Sequence, residues 1–428
     1  MFSLFKSKSD PQIIARIPAD KLSWRQDAIL VWIPNSKGQL RYVYGRDNHN
    51  EPKAFLLLND VPLIKIHANE CPTCDQLLQA GYGLDKVDKG VIKQFECYEN
   101  LCELNENTFI DCLNPILKML ESGLYLFSNI LYYPTDGQGN CFWAIDNKLK
   151  VSRGLAQSWE AQEVPSFLIP TQPVSKIDYE RIEYYRRKLK GGEKLGGIAF
   201  FVEGYMSAIL DGHHRAMACL LEHKQINCMT ISRVHTISVE SKTKQLKSFW
   251  ACGEAIDASI LPIHINNKIA DMFSNIKSID TSEVSNYLSM QSEEWKDVCF
   301  NNEVIDAARS LPRISDIVSI SLAGELTDER IDKSFQGNDF NEEDIEDMKN
   351  IFNAMIALND QRTYKLAYKI ATSDRWISLW EEAYKYLSRF KSSEIDNLFI
   401  SFLIDDEENR THIKKIVDNY FREAANGV

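Results

Sequence analysis

The sequence predicts an α+β protein with a mixed N-terminal domain over residues 1–155, a central α/β domain over 156–245 and an all-helical domain over 246–428. Short apolar runs between turn residues characterise the first part, and strand and helix patterns alternate in the second. Apolar residues recur at helical spacing in the third. With 428 residues, 44% of them hydrophobic, the chain is long enough for several cores.

The N-terminal part is expected to contain strands and one helix. Residues 28–34 (AILVWIP) predict a strand, residues 35–38 (NSKG) a turn, and residues 40–44 (LRYVY) the return strand of a hairpin. A further strand is expected at 54–58 (AFLLL), and the pattern at 107–120 indicates a helix.

The central part is expected to form an α/β unit of about 80 residues. Its predicted strands are 167–170, 198–202, 205–210 and 226–234, and its predicted helices are 178–190 and 213–223. Two glycine-containing segments interrupt the pattern. Residues 132–140 favour a hairpin turn, with a ligand loop as the alternative, and residues 191–197 favour a flexible connection that would cover a site as a lid.

The C-terminal part is predicted to be helical because apolar residues follow i, i+3, i+4 spacing at 345–356, 376–387, 395–402 and 413–421. Paired helices of this size would suit a HEAT-like repeat of about 40 residues, and an irregular bundle is the equal alternative. In either arrangement, these helices are candidates for binding a protein partner.

The charge balance argues against broad, non-specific DNA binding. Lys and Arg number 49 against 61 Asp and Glu, so the net charge is −12. A local basic run is formed by Arg186, Arg187, Lys188, Lys190 and Lys194. It is predicted to be a solvated helix end, with nucleic-acid contact as the alternative.

The chain is expected to be cytoplasmic, without a membrane partner. No apolar run reaches the roughly 18 residues of a membrane span, and residues 1–10 lack the apolar core of a signal peptide. The ten cysteines are irregularly spaced, which favours reduced thiols over a disulfide framework.

Four of the cysteines form a candidate zinc site: Cys71, Cys74, Cys97 and Cys102 have C-x2-C and C-x4-C spacing. Unliganded thiols and a redox C-x-x-C are the alternatives.

The strongest functional signal is the cluster Asp211-Gly212-His213-His214-Arg215, between a strand-like and a helix-like run. A helix N-terminus carries unpaired N–H groups and partial positive charge, and Gly212 would allow a ligand to approach the backbone. The arginine offers a planar fork for phosphate, and both imidazoles are able to donate to phosphate or move protons. The carboxylate would cap the helix or bind magnesium. The alternative is a turn without a ligand, in which Arg215 forms an ordinary ion pair.

The segment from Glu203 to Ala218 resembles the ParB/sulfiredoxin-like superfamily, whose members share a strand, a Gly-x-x-Arg turn and a helix. Gly212-His213-His214-Arg215 matches that turn, and residues 226–231 (INCMTI) resemble the closing strand. The Asp-Gly-His-His-Arg form is most similar to the free-serine-kinase and nucleotide-binding branch. The resemblance covers about residues 160–240. It implies that Gly212, His213, His214 and Arg215 bind the phosphates of ATP or CTP, with magnesium.

Departures from the family pattern restrict the implied chemistry. Sulfiredoxins carry a cysteine in the turn, where this chain has His213 and His214, which argues against sulfinic-acid reduction. The helix-turn-helix module of the chromosome-partitioning branch is not recognisable. The kinase branch uses upstream carboxylates, for which Glu203 is the first candidate here and Asp178 and Glu180 are weaker ones.

Three functions follow as hypotheses. The leading one is a nucleotide-binding protein that hydrolyses a nucleoside triphosphate or transfers its phosphoryl group, with His213, His214, Asp211 and Glu203 as catalytic candidates; whether it is an enzyme stays open. The second is a nucleic-acid-binding ParB-like protein or nuclease. The third is a scaffold that binds a protein through its C-terminal helices.

Overall fold

The computed structural model describes residues 10–67, 75–80, 86–95, 106–144, 149–152, 164–234, 236–240, 246–263, 266, 269, 279–290, 300–336, 341–405 and 410–425. The chain divides into two compact units, Met1–Ile314 and Ser315–Val428. The predicted α+β class is confirmed, because the first unit holds mixed sheets with helices and the second is helical. The predicted boundaries at 155 and 245 both lie inside the first unit.

Strands are confined to the first unit among the described residues, whereas helices occur in both units. The strands are β1 Gln12–Ile17, β2 Ala28–Lys37, β3 Leu40–Arg46, β4 Pro52–Leu58, β5 Val61–His67, β6 Asp75–Ala80, β7 Glu121–Tyr132, β8 Leu149–Ser152, β9 Phe167–Pro170, β10 Gly196–Glu203, β11 Met206–Asp211, β12 Ile226–Arg233, β13 Thr236–Val239, β14 Leu246–Ala251 and β15 Glu254–Asp257. The α-helices include α1 Lys89–Ile92, α2 Glu106–Met119, α3 Tyr179–Lys190, α4 His213–Leu221, α5 Thr281–Ser289, α6 Asn302–Arg309, α7 Ile314–Ala323, α8 Asp328–Gln336, α9 Glu342–Ala357, α10 Thr363–Ala371, α11 Trp380–Leu387, α12 Ser393–Asp405 and α13 Thr411–Ala425.

A seven-stranded mixed sheet with the order β1-β2-β7-β12-β10-β11-β9 is the framework of the first unit. Strands β10 and β12 run parallel, as do β9 and β11, and the other neighbours are antiparallel. Strand β12 pairs along its whole length with β7, from Ile226 opposite Tyr132 to Arg233 opposite Tyr125. The sheet thus combines strands from both sides of position 155.

The predicted hairpin of residues 28–44 is wrong in its pairing. Both strands form, but β2 pairs with β1 and β7, whereas β3 pairs with β4 in a separate five-stranded sheet, β3-β4-β5-β6-β8. Gly38, with a φ of 65°, lies at the turn where the chain passes from one sheet to the other. The turn chemistry was visible in the sequence, but the pairing depends on distant strands.

The central elements form where the sequence predicts them, with one shift. The predicted loop at 191–197 ends earlier, because Gly196 and Gly197 are buried residues of β10 and pair with Asn227 and Cys228 of β12. The segment 132–140 is the predicted turn: Thr135 and Cys141 form an antiparallel bridge, and the Asp136 carboxylate accepts backbone N–H groups inside it.

The predicted helical region does not begin at 246, because β14 and β15 follow that position and form a three-stranded sheet with β13. The unit Ser315–Val428 is helical throughout its described elements. All four predicted amphipathic stretches are helices there. At Trp376 the backbone departs from helical angles (φ −103°, ψ 27°), so a 3-10 segment, Asp374–Leu379, precedes α11. No helix in the described ranges combines the length and apolar character needed to span a membrane.

Candidate functional site

The predicted cluster lies at the junction between β11 and α4. Strand β11 is buried up to Leu210 because its side chains pack into the core of the first unit. Gly212 then adopts a left-handed conformation with a φ of 104°, and α4 starts at the next residue. A Cβ atom at Gly212 would lie 3.1 Å from the Gly197 Cα and 3.3 Å from the Gly196 carbonyl oxygen. Both the angle and the close approach of β10 therefore require glycine here.

Arg215 forms an ion pair with Asp211, one helical turn before it. The guanidinium is almost wholly buried, whereas 23% of the aspartate side chain is exposed. Burial raises the pKa of the Asp211 carboxyl, and the neighbouring Arg215 acts in the opposite direction. The ordinary ion pair that was the alternative interpretation of Arg215 is thus present, and it neutralises part of the charge available to a ligand.

The His213 ring is buried and hydrogen-bonded to the backbone. The ring is 2% exposed, and its Nε2 accepts hydrogen bonds from the backbone N–H groups of Thr171 and Gln172, each at 3.2 Å. Burial lowers the pKa of this imidazole well below its usual value. The ring centre lies 5.2 Å from that of Trp143. His213 therefore fixes the segment after β9 as a neutral imidazole, and its Nε2 is already occupied by two donors.

His214 is only partly buried and lies nearer the surface. Its Nε2 is 3.1 Å from both the Asp178 backbone nitrogen and the Lys176 carbonyl oxygen, so it contacts the segment that leads into α3. Burial lowers the pKa of the His214 imidazole, and the nearby Arg181 adds to the effect. The two histidines point to different backbone segments, as neighbouring helical positions are expected to do.

A pocket opens at the first turn of α4. Its walls are the residues Leu210 to Arg215, Gln172 after β9, Arg181 and Tyr185 of α3, and Ile92 and Phe95. Its volume of about 70 Å³ corresponds to roughly five water molecules at about 10–15 Å³ each. The pocket therefore suits a single phosphate or carboxylate group, and the remainder of a larger ligand would lie outside it.

Two pocket residues, Arg181 and Tyr185, were not among the sequence candidates. The Arg181 and Arg215 guanidinium carbons lie 5.9 and 6.0 Å from the centre of the Tyr185 ring, so both cations are placed beside one aromatic side chain. Asp178 caps α3 by accepting the Arg181 backbone N–H at 3.0 Å. The i, i+4 spacing of Arg181 and Tyr185 places both residues on one face of α3. Nothing in the sequence indicates that this face lies against Asp211.

Glu203 is not brought to the cluster. It pairs with Met206 beside the β10–β11 turn, whereas Asp211 pairs with Ile198 at the other end of the same two strands. Asp211 is five residue steps along the strand from Met206, which is roughly 17 Å at about 3.3 Å per residue. Glu180, in the first turn of α3, does not line the pocket either.

The four cysteines predicted as zinc ligands, Cys71, Cys74, Cys97 and Cys102, are not among the residues that the structure describes. Within the described part of the chain, no three His, Cys, Asp or Glu side chains are grouped to hold a metal ion. The described cysteines Cys112, Cys141, Cys219, Cys228 and Cys252 are free thiols, and burial raises the pKa of Cys141 and Cys219 to about 12.

The basic run on α3 is largely ion-paired. Arg186 contacts the carboxylates of Glu183, Glu222 and Glu303 at 2.8–3.0 Å. Lys188 pairs with Glu193 in the same way. With the contact of Lys190 to Glu222, three of the five cations in the run are ion-paired, which agrees with a solvated helix end.

Comparison of the chain with protein-family models, with curated proteins and with solved structures gives no match. What this chain binds is therefore inferred from the geometry of its own residues.

Proposed function

We propose that the pocket at the start of α4 binds a phosphate group of a nucleoside triphosphate, ATP or CTP. The observation that carries this proposal is the convergence of a helix N-terminus and two guanidinium groups on one small pocket. The N-cap residue is Gly212, which has no side chain with which to cap the first turn. The N–H groups of a first helical turn lack partners within the helix and favour an anion.

The charge distribution supports an anion in this pocket. Arg181, Arg215 and Asp211 together give one net positive charge at the lining, and Arg181 is the more exposed of the two cations. The choice of a nucleotide over other phosphate compounds rests on the resemblance of the sequence to the ParB/sulfiredoxin-like superfamily. Members with the Asp-Gly-His-His-Arg form use this turn for nucleotide phosphates. The base and ribose would lie outside a cavity of this size.

The geometry supports binding more strongly than a reaction. His213 is neutral and accepts two backbone N–H groups, so it holds the pocket wall in place and has no role in moving protons at Nε2. His214 also lines the pocket, but its Nε2 contacts the backbone of Asp178 and Lys176, so the guanidinium groups and the first-turn N–H groups are the donors left for a phosphate. If hydrolysis or phosphoryl transfer occurs, positioning and charge stabilisation would supply most of the catalysis.

The described residues do not fit a protein-held magnesium ion at this pocket. Asp211 is the one carboxylate among the described lining residues, and it is paired with Arg215. Magnesium sites at nucleotides use one or two carboxylates together with the phosphates. We therefore assign no step to magnesium.

Substitution of Arg181 tests the proposal. Removing a charged hydrogen-bond donor from a phosphate is expected to weaken ATP and CTP binding by about ten- to a hundredfold, since such bonds contribute about 1.5–3 kcal/mol. Isothermal titration of the full chain with ATP, CTP and inorganic phosphate, with and without magnesium, would compare wild type with R181Q. The matched control is R187Q, which removes an exposed arginine of the same helix outside the pocket. Equal affinities for wild type and R181Q, or no binding by wild type, would refute the proposal.

Nucleotide binding is favoured over the nucleic-acid alternative because carboxylates engage three of the five cations in the basic run, Arg186, Lys188 and Lys190. The same titrations with a DNA duplex distinguish the two. A DNA-binding protein would show affinity that falls steeply with salt, and R187Q would then weaken binding as much as R181Q.

A further inference from the structure

A second pocket lies within the helical unit, between the end of α10, the 3-10 segment Asp374–Leu379, α11 and α12. Its volume of about 490 Å³ is in the range of about 300–1,000 Å³ that is typical of small-molecule sites. It shares no residue with the pocket at α4.

Three aromatic side chains of this pocket pack against one another. The ring centre of Trp380 lies 6.2 Å from that of Tyr384 and 6.5 Å from that of Phe402, and the last two are 5.1 Å apart. Tyr384 and Phe402 are buried in the core of the unit, while Trp380 is partly exposed. The rings are thus held by packing, and Trp380 is the most exposed of the three aromatic side chains that line the cavity.

The charges at the rim are mainly negative. The exposed carboxylates of Asp374 and Asp405 line the pocket together with the guanidinium of Arg410. That guanidinium lies 5.2 Å from the centre of the Trp380 ring, which is the geometry of a cation–π contact. The aromatic wall therefore already attracts a cation from the chain itself.

We propose that this pocket binds a small organic cation, an alkylated ammonium group on a short apolar body. The ammonium would lie over the aromatic rings, between the carboxylates of Asp374 and Asp405, and the apolar body would contact Ile377 and Leu398. An anion is disfavoured, since two carboxylates oppose one guanidinium among the described lining residues. A neutral aromatic ligand would not use the carboxylates.

A pair of isosteric probes tests the proposal on the full chain. Choline and 3,3-dimethylbutan-1-ol have nearly the same shape, but only choline carries a charge. Calorimetric titration is expected to show choline binding at least about tenfold more tightly, because the uncharged probe lacks the cation–π attraction. Equal affinities for the two probes, or no binding of choline, would overturn the proposal.

Two substitutions at the rim are expected to have opposite effects. D405N removes an attractive carboxylate and should weaken choline binding several-fold, whereas R410Q removes a like charge and should strengthen it. D306N, an exposed aspartate in the other unit, is the matched control and should change nothing. Thermal melts verify that each variant is folded, and D374N, which removes the other carboxylate of the rim, replaces D405N if that variant is not. If D405N leaves choline binding unchanged, or R410Q fails to strengthen it, the rim charges do not act on the ammonium group and the proposal is wrong.

Discussion

At the residue scale, Gly212 combines a positive φ with a close approach of the backbone of another strand. Its φ is 104°, and an added Cβ would be pressed against Gly196 and Gly197 of β10. Gly192 also has a positive φ, of 87°, but no non-neighbouring atom of the described residues lies within 4 Å of a Cβ added there. A comparison of substitutions at Gly192 and Gly212 therefore distinguishes the cost of the left-handed backbone from the cost of the close contact with β10.

G212A is expected to destabilise the protein more than G192A. The left-handed conformation costs an L-residue about 1–2 kcal/mol at either position, and only G212A must also move β10 away from the turn. Urea unfolding of the two variants and wild type measures the difference. Equal losses in the free energy of unfolding would show that β10 yields without cost and that the close approach is not required.

His213 makes the stability of the first unit dependent on pH. Burial lowers the pKa of the folded imidazole well below the value near 6.5 of an unfolded chain. Below pH 6.5 the imidazole binds a proton in the unfolded state but not in the folded state. The free energy of unfolding therefore falls as the pH falls, by up to about 1.4 kcal/mol per pH unit. Above pH 6.5 both states are neutral and the effect vanishes.

H213Q is the variant that tests this dependence. A glutamine amide oxygen is able to accept the N–H groups of Thr171 and Gln172, yet it does not titrate. Denaturant unfolding between pH 5 and 8 should show a shallower acid loss in H213Q than in wild type. H49Q removes an exposed imidazole and serves as the control. An unchanged slope in H213Q would assign the acid sensitivity to other groups.

At the element scale, α9 is started by a capping box. The Asn341 side chain accepts the Asp344 backbone N–H at 2.9 Å, and the Asp344 carboxylate accepts the Asn341 backbone N–H at 3.2 Å. N341A is expected to cost about 1 kcal/mol, because it leaves a backbone donor without its partner. Thermal unfolding would show this as a lower midpoint. A midpoint equal to that of wild type would mean that water replaces the cap at no cost.

The elements also show how far the sequence predicts the fold and the site. Apolar spacing located α9 and α13, and the strand–glycine–helix pattern located the junction at Gly212, because these signals lie within a few residues of one another. The partner of β2 was predicted wrongly, since strand pairing joins residues about a hundred positions apart. Arg181 was missed for the same reason: it reaches the pocket through the packing of α3 on α4, which no local pattern records.

At the scale of the whole molecule, the helical unit has a hydrophobic core made from its own residues. The core includes Met348, Ile351, Leu387, Phe399 and Val417, all of which are fully buried. The segment 315–428 is of ordinary domain size, about 50–250 residues. Since its apolar side chains are buried against one another, we expect this segment to fold when it is produced alone.

The isolated segment 315–428 should therefore unfold cooperatively, and its stability should depend on Phe399 in particular. F399A removes a fully buried ring that is stacked on Tyr384 at 5.2 Å, and such truncations cost about 3–5 kcal/mol. I404A, on the same helix, truncates a side chain that is 76% exposed and should change stability by less than about 0.5 kcal/mol. Urea unfolding followed by circular dichroism measures both. Similar losses in the two variants, or a gradual transition in the unmodified segment, would mean that this core does not stabilise the unit by itself. The proposed cation pocket would then require the full chain, because Tyr384 and Phe402 in its wall belong to the same core.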